Sequence, residues 1–172
     1  MTVIARPRRR QRRLPRAWST PVAAWQAAQE HSWWDGQREG AIRHDGVAQP
    51  AVKTVLVVDD DRDICEMLAH ILSTAGFAVA MEVDGERGLS TARRTRPDLV
   101  LLDWMLPNVT GIEICRQLRE DPATAATRII MVTARAEVSD TERSLAAGAD
   151  DHIVKPFGRR ELIRRVRTVL EH

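Results

Sequence analysis

Residues 54–61 read TVLVVDDD, five apolar or β-branched residues followed directly by three aspartates. The apolar run is continuous rather than alternating, which is typical of a parallel strand covered by helices on both faces. Similar runs at 99–102, 129–132 and 153–154 end in Asp103, Thr133 and Lys155 respectively. The pattern predicts an α/β sheet with a polar residue at the carboxyl end of each of these strands.

The segments between these runs have helical periodicity. Ile64, Leu68, Ile71 and Leu72 follow the i, i+4, i+7, i+8 spacing of an amphipathic helix, which Gly76 then ends. Further helices are predicted over 86–94, 111–119, 137–147 and 160–170, and a further strand over 77–83. The (βα) unit therefore occurs five times. Right-handed crossovers give a doubly wound, parallel five-stranded sheet.

The strand ends also predict a site. In a parallel sheet the carboxyl ends share one edge, where ligands of open α/β proteins bind. We therefore expect Asp59, Asp60, Asp103, Thr133 and Lys155 to converge there. Three carboxylates repel unless one is protonated or a hard cation neutralises them, and Mg²⁺ fits best. Together with an ammonium and a hydroxyl, this set suits attack on phosphorus, so we predict reversible aspartyl phosphorylation.

Four motifs carry a family resemblance: VVDDD at 57–61, LLDWMLP at 101–107, MVTA at 131–134 and KPF at 155–157. They resemble the receiver domain of response regulators in bacterial two-component signalling, over residues 53–172. The resemblance implies a flavodoxin/CheY-like strand order 2-1-3-4-5. It also implies a cytoplasmic protein that takes a phosphoryl group from a histidine kinase or phosphotransfer protein, with no enzyme activity beyond self-phosphorylation and autodephosphorylation.

The resemblance also assigns roles to the site residues. Asp103 would be the phosphoacceptor, and Asp60 would bind Mg²⁺ directly together with Asp103 and the main-chain carbonyl of Met105. Asp59 completes the acidic pair, Thr133 is the switch hydroxyl, and Lys155 pairs with the phosphoryl group through a cis Lys155-Pro156 bond. Asp61 is expected only to start the first helix.

One position departs from the family pattern. His152 stands where a switch Tyr or Phe is usual. This puts in doubt the coupling of Thr133 to the output face, the surface that contacts partners after phosphorylation. A histidine there could still change rotamer, and its burial would disfavour the charged form. The alternative is a surface histidine without a switching role.

The final third resembles OmpR/PhoB-type receivers in particular, through GADD at 148–151, Glu161-Leu162 and Arg165. In that subfamily the fourth helix, fifth strand and fifth helix form a phosphorylation-dependent dimer face. The residues that would carry it here are charged: Arg143, Asp150, Asp151, Glu161 and Arg165. The alternative is that they are ordinary solvated charges, since exposed ion pairs contribute little individually.

Parts of the sequence also fit two other functions. A partner-binding pseudo-receiver would not take up phosphate, although the intact acid, threonine and lysine set argues against it. A haloacid-dehalogenase-type phosphatase would use Asp59-x-Asp61 and Asp150-Asp151, but it would have no use for Asp103. Relatives of the OmpR type continue into a DNA-binding domain. Because the sequence stops at His172, we expect no direct DNA binding and favour a stand-alone regulator over a fragment.

The charge of the 172-residue chain is uneven. Residues 1–52 hold nine arginines, four acids and four of the five tryptophans, whereas 53–172 has a net charge of −3. We predict that 1–52 is a disordered or loosely docked extension. Two alternatives are an upstream sequence before a later translation start, and an arginine-tryptophan arm for nucleic acid or acidic membranes. Cys65 and Cys115 are predicted to be packing thiols, and no segment is apolar enough to span a bilayer.

Overall fold

The computed structural model describes residues 52–134 and 138–171, so almost all of the predicted 1–52 extension lies outside the described residues. Strands and helices alternate along the chain. They are β1 (Thr54–Val58), α1 (Arg62–Thr74), β2 (Ala78–Glu82), α2 (Gly85–Thr95), β3 (Leu99–Asp103), α3 (Gly111–Glu120), β4 (Arg128–Thr133), α4 (Val138–Ala146), β5 (Asp151–Val154) and α5 (Arg159–Glu171).

The strands form one parallel sheet in the order β2-β1-β3-β4-β5. This confirms the predicted doubly wound fold and its strand order. The register places Leu102 beside both Val58 and Met131, and Thr133 beside Val154. Consequently β1, β3, β4 and β5 all end at the same edge of the sheet.

Helices cover both faces of the sheet, which explains the continuous apolar runs. Leu56 and Val58 point into a core with Leu89 of α2 and Ile114 of α3. The alternate strand residues point into a second core with α1 and α5, whose members include Val55, Val57, Leu68, Leu72, Leu162 and Val166. Because successive strand side chains point to opposite faces, each strand supplies both cores.

Local signals fix where the helices begin. Asp61 caps α1 by accepting hydrogen bonds from the main-chain N–H groups of Asp63 and Ile64, as predicted for a helix-start acid. Thr110 and Glu113 form a reciprocal capping box at α3. Gly111 begins α3 so close to β3 that a Cβ there would overlap the main-chain oxygen of Asp103. The β3–α3 connection therefore depends on the absence of a side chain at this position.

None of the helices in the described residues combines the length and apolar character that crossing a membrane requires.

Candidate functional site

The carboxyl edge of the sheet brings three of the predicted site residues into direct contact. Lys155 Nζ lies 2.7 Å from Asp59 Oδ2 and 2.8 Å from Asp103 Oδ1. Asp59 directly follows β1, Asp103 ends β3 and Lys155 directly follows β5. A single ammonium group therefore bridges carboxylates that lie 44 residues apart in the sequence. The Lys155-Pro156 peptide bond is cis, as the family resemblance implied.

The second oxygen of each bridged carboxylate is also held. Asp103 Oδ2 accepts the Met105 main-chain N–H at 2.7 Å, and Asp59 Oδ1 accepts the Asp61 N–H at 3.0 Å. Cys65 packs below this pair, with its Sγ 3.3 Å from the Asp59 carbonyl oxygen. Both carboxylates are therefore oriented by main-chain donors as well as by the lysine.

Burial sets the electrostatics of the site. The side chains of Asp59 and Asp103 are only 2% and 8% exposed. Desolvation raises the pKa of Asp103 above its ordinary value, although the hydrogen bond from Lys155 opposes the shift. Burial acts to lower the pKa of Lys155, but its hydrogen bonds to Asp103 and Asp59 outweigh this effect and the pKa is raised. Lys155 is therefore a permanent cation at neutral pH.

The site has an excess of negative charge. When Asp59, Asp60 and Asp103 are ionised, Lys155 neutralises only one of the three carboxylates. Asp60 is exposed and directly follows Asp59 in the sequence. Within 52–134 and 138–171, no three acidic, histidine or cysteine side chains gather closely enough to hold a metal by themselves. Mg²⁺ usually takes one or two carboxylates and keeps several waters, so the oxygen donors present fit this ion.

Thr133 and His152 lie on the neighbouring strands. Thr133 is buried at the end of β4, and its main-chain oxygen accepts the Lys155 N–H at 2.7 Å. His152 is half-buried on β5, and its Nε2 lies 2.9 Å from the Thr141 Oγ1 of α4. The imidazole therefore contacts α4, where a switch residue would have to act, and its proposed role stays a prediction.

The charges predicted for a dimer face fall into two separate groups. Arg165 makes two 2.9 Å contacts with the Asp151 carboxylate and a 3.3 Å contact with Glu161, while Arg143 is exposed on α4. The carboxylate of Asp150, in contrast, points to the other side of β5. It accepts hydrogen bonds from the Ile129 N–H at 2.8 Å and from two arginines, Arg119 at 2.6 Å and Arg128 at 2.8 Å.

Both carboxylate oxygens of Asp150 are engaged within the protomer, so Asp150 takes part in an internal cluster. Its place on the dimer face stays a prediction. The Arg119 side chain at the centre of that cluster was missed. Its guanidinium also donates to the main-chain oxygens of Ala125, Thr127 and Gly148, and no local sequence motif marks this role.

Both thiols are buried, as predicted for packing residues. Burial raises the pKa of Cys65 to about 12 and that of Cys115 to about 11. At these values neither sulfur is a thiolate at neutral pH, so neither is a reactive nucleophile.

Residues 55–167 match the family described as the response regulator receiver domain. The chain belongs to this family. Its receiver domain is 47% identical over 116 residues to the "DNA-binding response regulator MtrA" of Mycobacterium tuberculosis, a match that covers 67% of this chain and 50% of the relative. It is 45% identical over 116 residues to the "Phosphate regulon transcriptional regulatory protein PhoB" of Rhizobium meliloti, covering 67% of this chain and 51% of the relative.

Both relatives are OmpR/PhoB-type response regulators, which confirms the predicted subfamily. The receiver chain spans about half the length of these curated relatives. Among solved structures it resembles a putative response regulator from Chloroflexus aurantiacus, with a TM-score of 0.68 and 36% identity over 70% of this chain and 99% of the other.

It also resembles the receiver domain of the sensor histidine kinase PA1611 from Pseudomonas aeruginosa, with a TM-score of 0.66 and 31% identity over 71% of this chain and all of the other. That structure is described as having a magnesium ion coordinated in the active site cleft.

Proposed function

We propose that this receiver accepts a phosphoryl group on Asp103, from a histidine kinase or a histidine phosphotransfer protein, with Mg²⁺ as cofactor. The observation that carries the proposal is the bridge from Lys155 Nζ to Asp59 and Asp103. The bridge joins two buried carboxylates and a fixed positive charge in one hydrogen-bonded group, which supports Asp103 as the nucleophile. Such a group suits phosphoryl transfer, in which most catalysis is positioning and charge stabilisation.

The transfer assigns a task to each side chain. A carboxylate oxygen of Asp103 attacks phosphorus and forms an acyl phosphate, while the bond from phosphorus to the donor's histidine nitrogen breaks. The electron pair of that bond stays on the imidazole. The Lys155 ammonium then pairs with the phosphoryl oxygens and stabilises their negative charge. The Met105 N–H keeps the Asp103 carboxylate oriented during attack. Thr133 supplies a hydroxyl that would turn to the acyl phosphate.

Mg²⁺ would supply two positive charges against the site's excess of negative charge. Asp60 and Asp103 would bind it through carboxylate oxygens, with the main-chain carbonyl of Met105 as a third protein ligand. Asp59 would stay bridged to Lys155 and support the ion electrostatically. This division explains why one carboxylate of the adjacent pair is buried while the other is exposed to solvent.

Acetyl phosphate with Mg²⁺ tests the acceptor directly, because the intact mass reports the phosphoryl groups bound. We expect one phosphoryl group on the parent chain and none on Asp103→Asn. Asp98→Asn is the matched control, because it removes a partly buried carboxylate at the opposite edge of the sheet and should still be phosphorylated. Phosphorylation of Asp103→Asn to the parent level would overturn the proposal.

The same experiment separates the rival functions. A pseudo-receiver would take up no phosphate from acetyl phosphate at any Mg²⁺ concentration. A haloacid-dehalogenase-type phosphatase would lose phosphate transfer with Asp59→Asn but keep it with Asp103→Asn. The receiver mechanism requires the reverse order of severity, because Asp59 touches the nucleophile only through Lys155. We propose no enzyme activity beyond this self-phosphorylation and autodephosphorylation, in the cytoplasm.

We further propose that phosphorylation changes the face formed by α4, β5 and α5, for dimerisation or partner binding. Arg143, Asp151, Glu161 and Arg165 supply its charges. Because Arg165 is already paired with Asp151 and Glu161, an intermolecular contact would have to exchange these bonds for equivalent ones. Beryllofluoride with Mg²⁺ should double the mass measured by light scattering, and Arg165→Ala should prevent this. A monomer in both states would refute dimerisation.

A further inference from the structure

The outer side of α5 carries an exposed row of positive charge. Its members follow the i, i+4, i+7 spacing of one helix face, and they are Arg160, Arg164 and Arg167. We call them the α5 arginine row. At a rise of about 1.5 Å per residue, the row extends about 10 Å along the helix axis. An open groove of about 380 Å³ lies along the same face.

The charges of the α5 arginine row are not balanced within the receiver. In the part of the chain that the structure describes, none of the three guanidiniums forms a hydrogen bond or an ion pair. Arg165 of the same helix is the opposite case, because it is paired with Asp151 and Glu161. Like charges three and four residues apart on a helix repel each other. An acidic partner would relieve this repulsion.

One apolar side chain lies within the row. Ile163 is half-buried and lines the groove together with the three arginines. It belongs to neither of the two cores, although the adjacent Leu162 is completely buried. Ile163 therefore offers apolar surface at the centre of the row that the fold itself does not use.

The surroundings of the row favour a short acidic partner. Residues 53–172 have a net charge of −3, so the row is a local feature of an acidic domain. On the same face, Glu171 is exposed one turn after Arg167. A nucleic acid backbone is a long, continuous line of phosphates, which would extend beyond the row onto this acidic surface. A protein segment with a few carboxylates matches the row without this repulsion.

We propose that the α5 arginine row docks an acidic amphipathic helix of a partner protein. Carboxylates three and four residues apart on that helix would pair with the arginines, and an apolar side chain between them would cover Ile163. Helices that meet through such faces surround an apolar contact with charged pairs. The row excludes Glu161 and Arg165, so this docking is separate from the proposed dimer face and from phosphorylation, and each can fail without the others.

The test titrates the full chain, without Mg²⁺, with an alanine-based helical peptide of about 20 residues, a length that can hold a helix in water. One face of the peptide carries glutamates at i, i+4 and i+7 and a leucine at i+3. We expect saturable shifts of the Ile163 and Arg164 amide resonances. Arg164→Gln combined with Arg167→Gln should weaken binding about fivefold, as expected for losing two exposed ion pairs. Ile163→Ala should also weaken it, because the leucine loses apolar contact.

The matched control combines Arg94→Gln with Arg116→Gln, which removes two exposed positive charges on α2 and α3 and should leave the affinity unchanged. A scrambled peptide of the same composition controls for charge alone. The proposal is overturned if no shift saturates, if the α5 double variant and Ile163→Ala bind as the parent does, or if the scrambled peptide binds as tightly. Tighter binding of a short DNA duplex or of phosphatidylglycerol vesicles to the same residues also overturns it, because the row would then be a phosphate-binding surface.

Discussion

Lys155 has two roles, one in the stability of the fold and one in the proposed phosphoryl transfer. It neutralises Asp59 and Asp103 in the folded state, and it is the cation proposed to meet the phosphoryl group. Both carboxylates are almost completely buried, whereas the lysine is 22% exposed. Removing one partner of a buried ion pair leaves an uncompensated charge, which costs far more than losing an exposed pair.

We predict that Lys155→Met lowers the free energy of unfolding by about 3 kcal/mol at neutral pH. The pKa of Asp103, already raised by burial, rises further without the ammonium. A carboxyl whose folded-state pKa exceeds its unfolded value stabilises the fold at low pH and loses this contribution as the pH rises through the folded-state pKa. The deficit of the variant should therefore grow with pH and level off above that pKa.

Urea unfolding over a pH series measures this deficit, and the carboxyl carbon resonance of Asp103 reports its titration. Lys53→Met provides the control, because it removes the same charge from a pair whose lysine is 51% exposed. We expect that control to lose less than about 1 kcal/mol. Equal losses at Lys155 and Lys53 would show that the Asp59–Lys155–Asp103 bridge contributes no special stability.

The β3–α3 connection has no space for a side chain at Gly111, which a substitution can test. A methyl group there would overlap the Asp103 main-chain oxygen and approach Met131 Cε at 3.0 Å. We predict that Gly111→Ala lowers the free energy of unfolding by about 3 kcal/mol, because the end of β3 must move. Gly158→Ala, whose methyl group meets nothing within 4 Å, should change it by less than about 1 kcal/mol. Similar urea midpoints for the two variants would contradict this reading.

At the scale of the elements, the sequence was sufficient for what depends on periodicity. Each strand and helix was predicted within one or two residues, because a doubly covered parallel sheet leaves a continuous apolar run in the sequence. The convergence of Asp59, Asp103 and Lys155 also followed, since topology alone brings the carboxyl ends of parallel strands together. The capping box at Thr110 and Glu113 was readable from spacing but was not used.

The sequence does not predict to which side of an element a particular side chain points. Asp150 and Asp151 are adjacent, and strand geometry sends them to opposite faces. Asp151 meets Arg165 of α5, while Asp150 meets Arg119 of α3 and Arg128 of β4. Which of the two faced α5 depended on the exact start of β5, and boundaries of one residue are the least certain part of a sequence-based assignment.

Arg119 joins two connections, the one between α3 and β4 and the one between α4 and β5. Its guanidinium donates to Ala125 and Thr127 before β4, to Gly148 after α4 and to the Asp150 carboxylate. We predict that Arg119→Met lowers the free energy of unfolding by about 2 kcal/mol, since three partly buried acceptors lose their donor.

Amide exchange at Gly148 and Ala149 should accelerate in this variant, while that of β1 should follow the global stability. Arg116→Met is the control, because Arg116 is exposed on the same helix and should change the free energy of unfolding by about 0.5 kcal/mol or less. Local exchange that matches the parent chain would show that the turn after α4 holds itself in place.

At the scale of the whole molecule, the uneven charge of the chain suggests two independent parts. Residues 1–52 have a net charge of +5 and 53–172 a net charge of −3, so the overall +2 and the pI near 8.9 describe neither part. The described receiver has complete cores on both faces of its sheet and a full set of five strands. Nothing in its core requires a further apolar element.

We therefore predict that removing residues 1–51 changes the free energy of unfolding of the receiver by less than about 0.5 kcal/mol, the range of a substitution away from packed features. Acetyl phosphate with Mg²⁺ should phosphorylate the shortened and full chains at the same rate, because the site is built from β1, β3, β4 and β5. The shortened chain should, however, lose any salt-dependent retention on a polyanion column, since the arginine excess has gone. Urea unfolding and phosphorylation rates, measured side by side, decide the matter. A loss of more than about 1 kcal/mol would show that the arginine-rich segment packs on the receiver, because only a packed segment contributes apolar burial of that size.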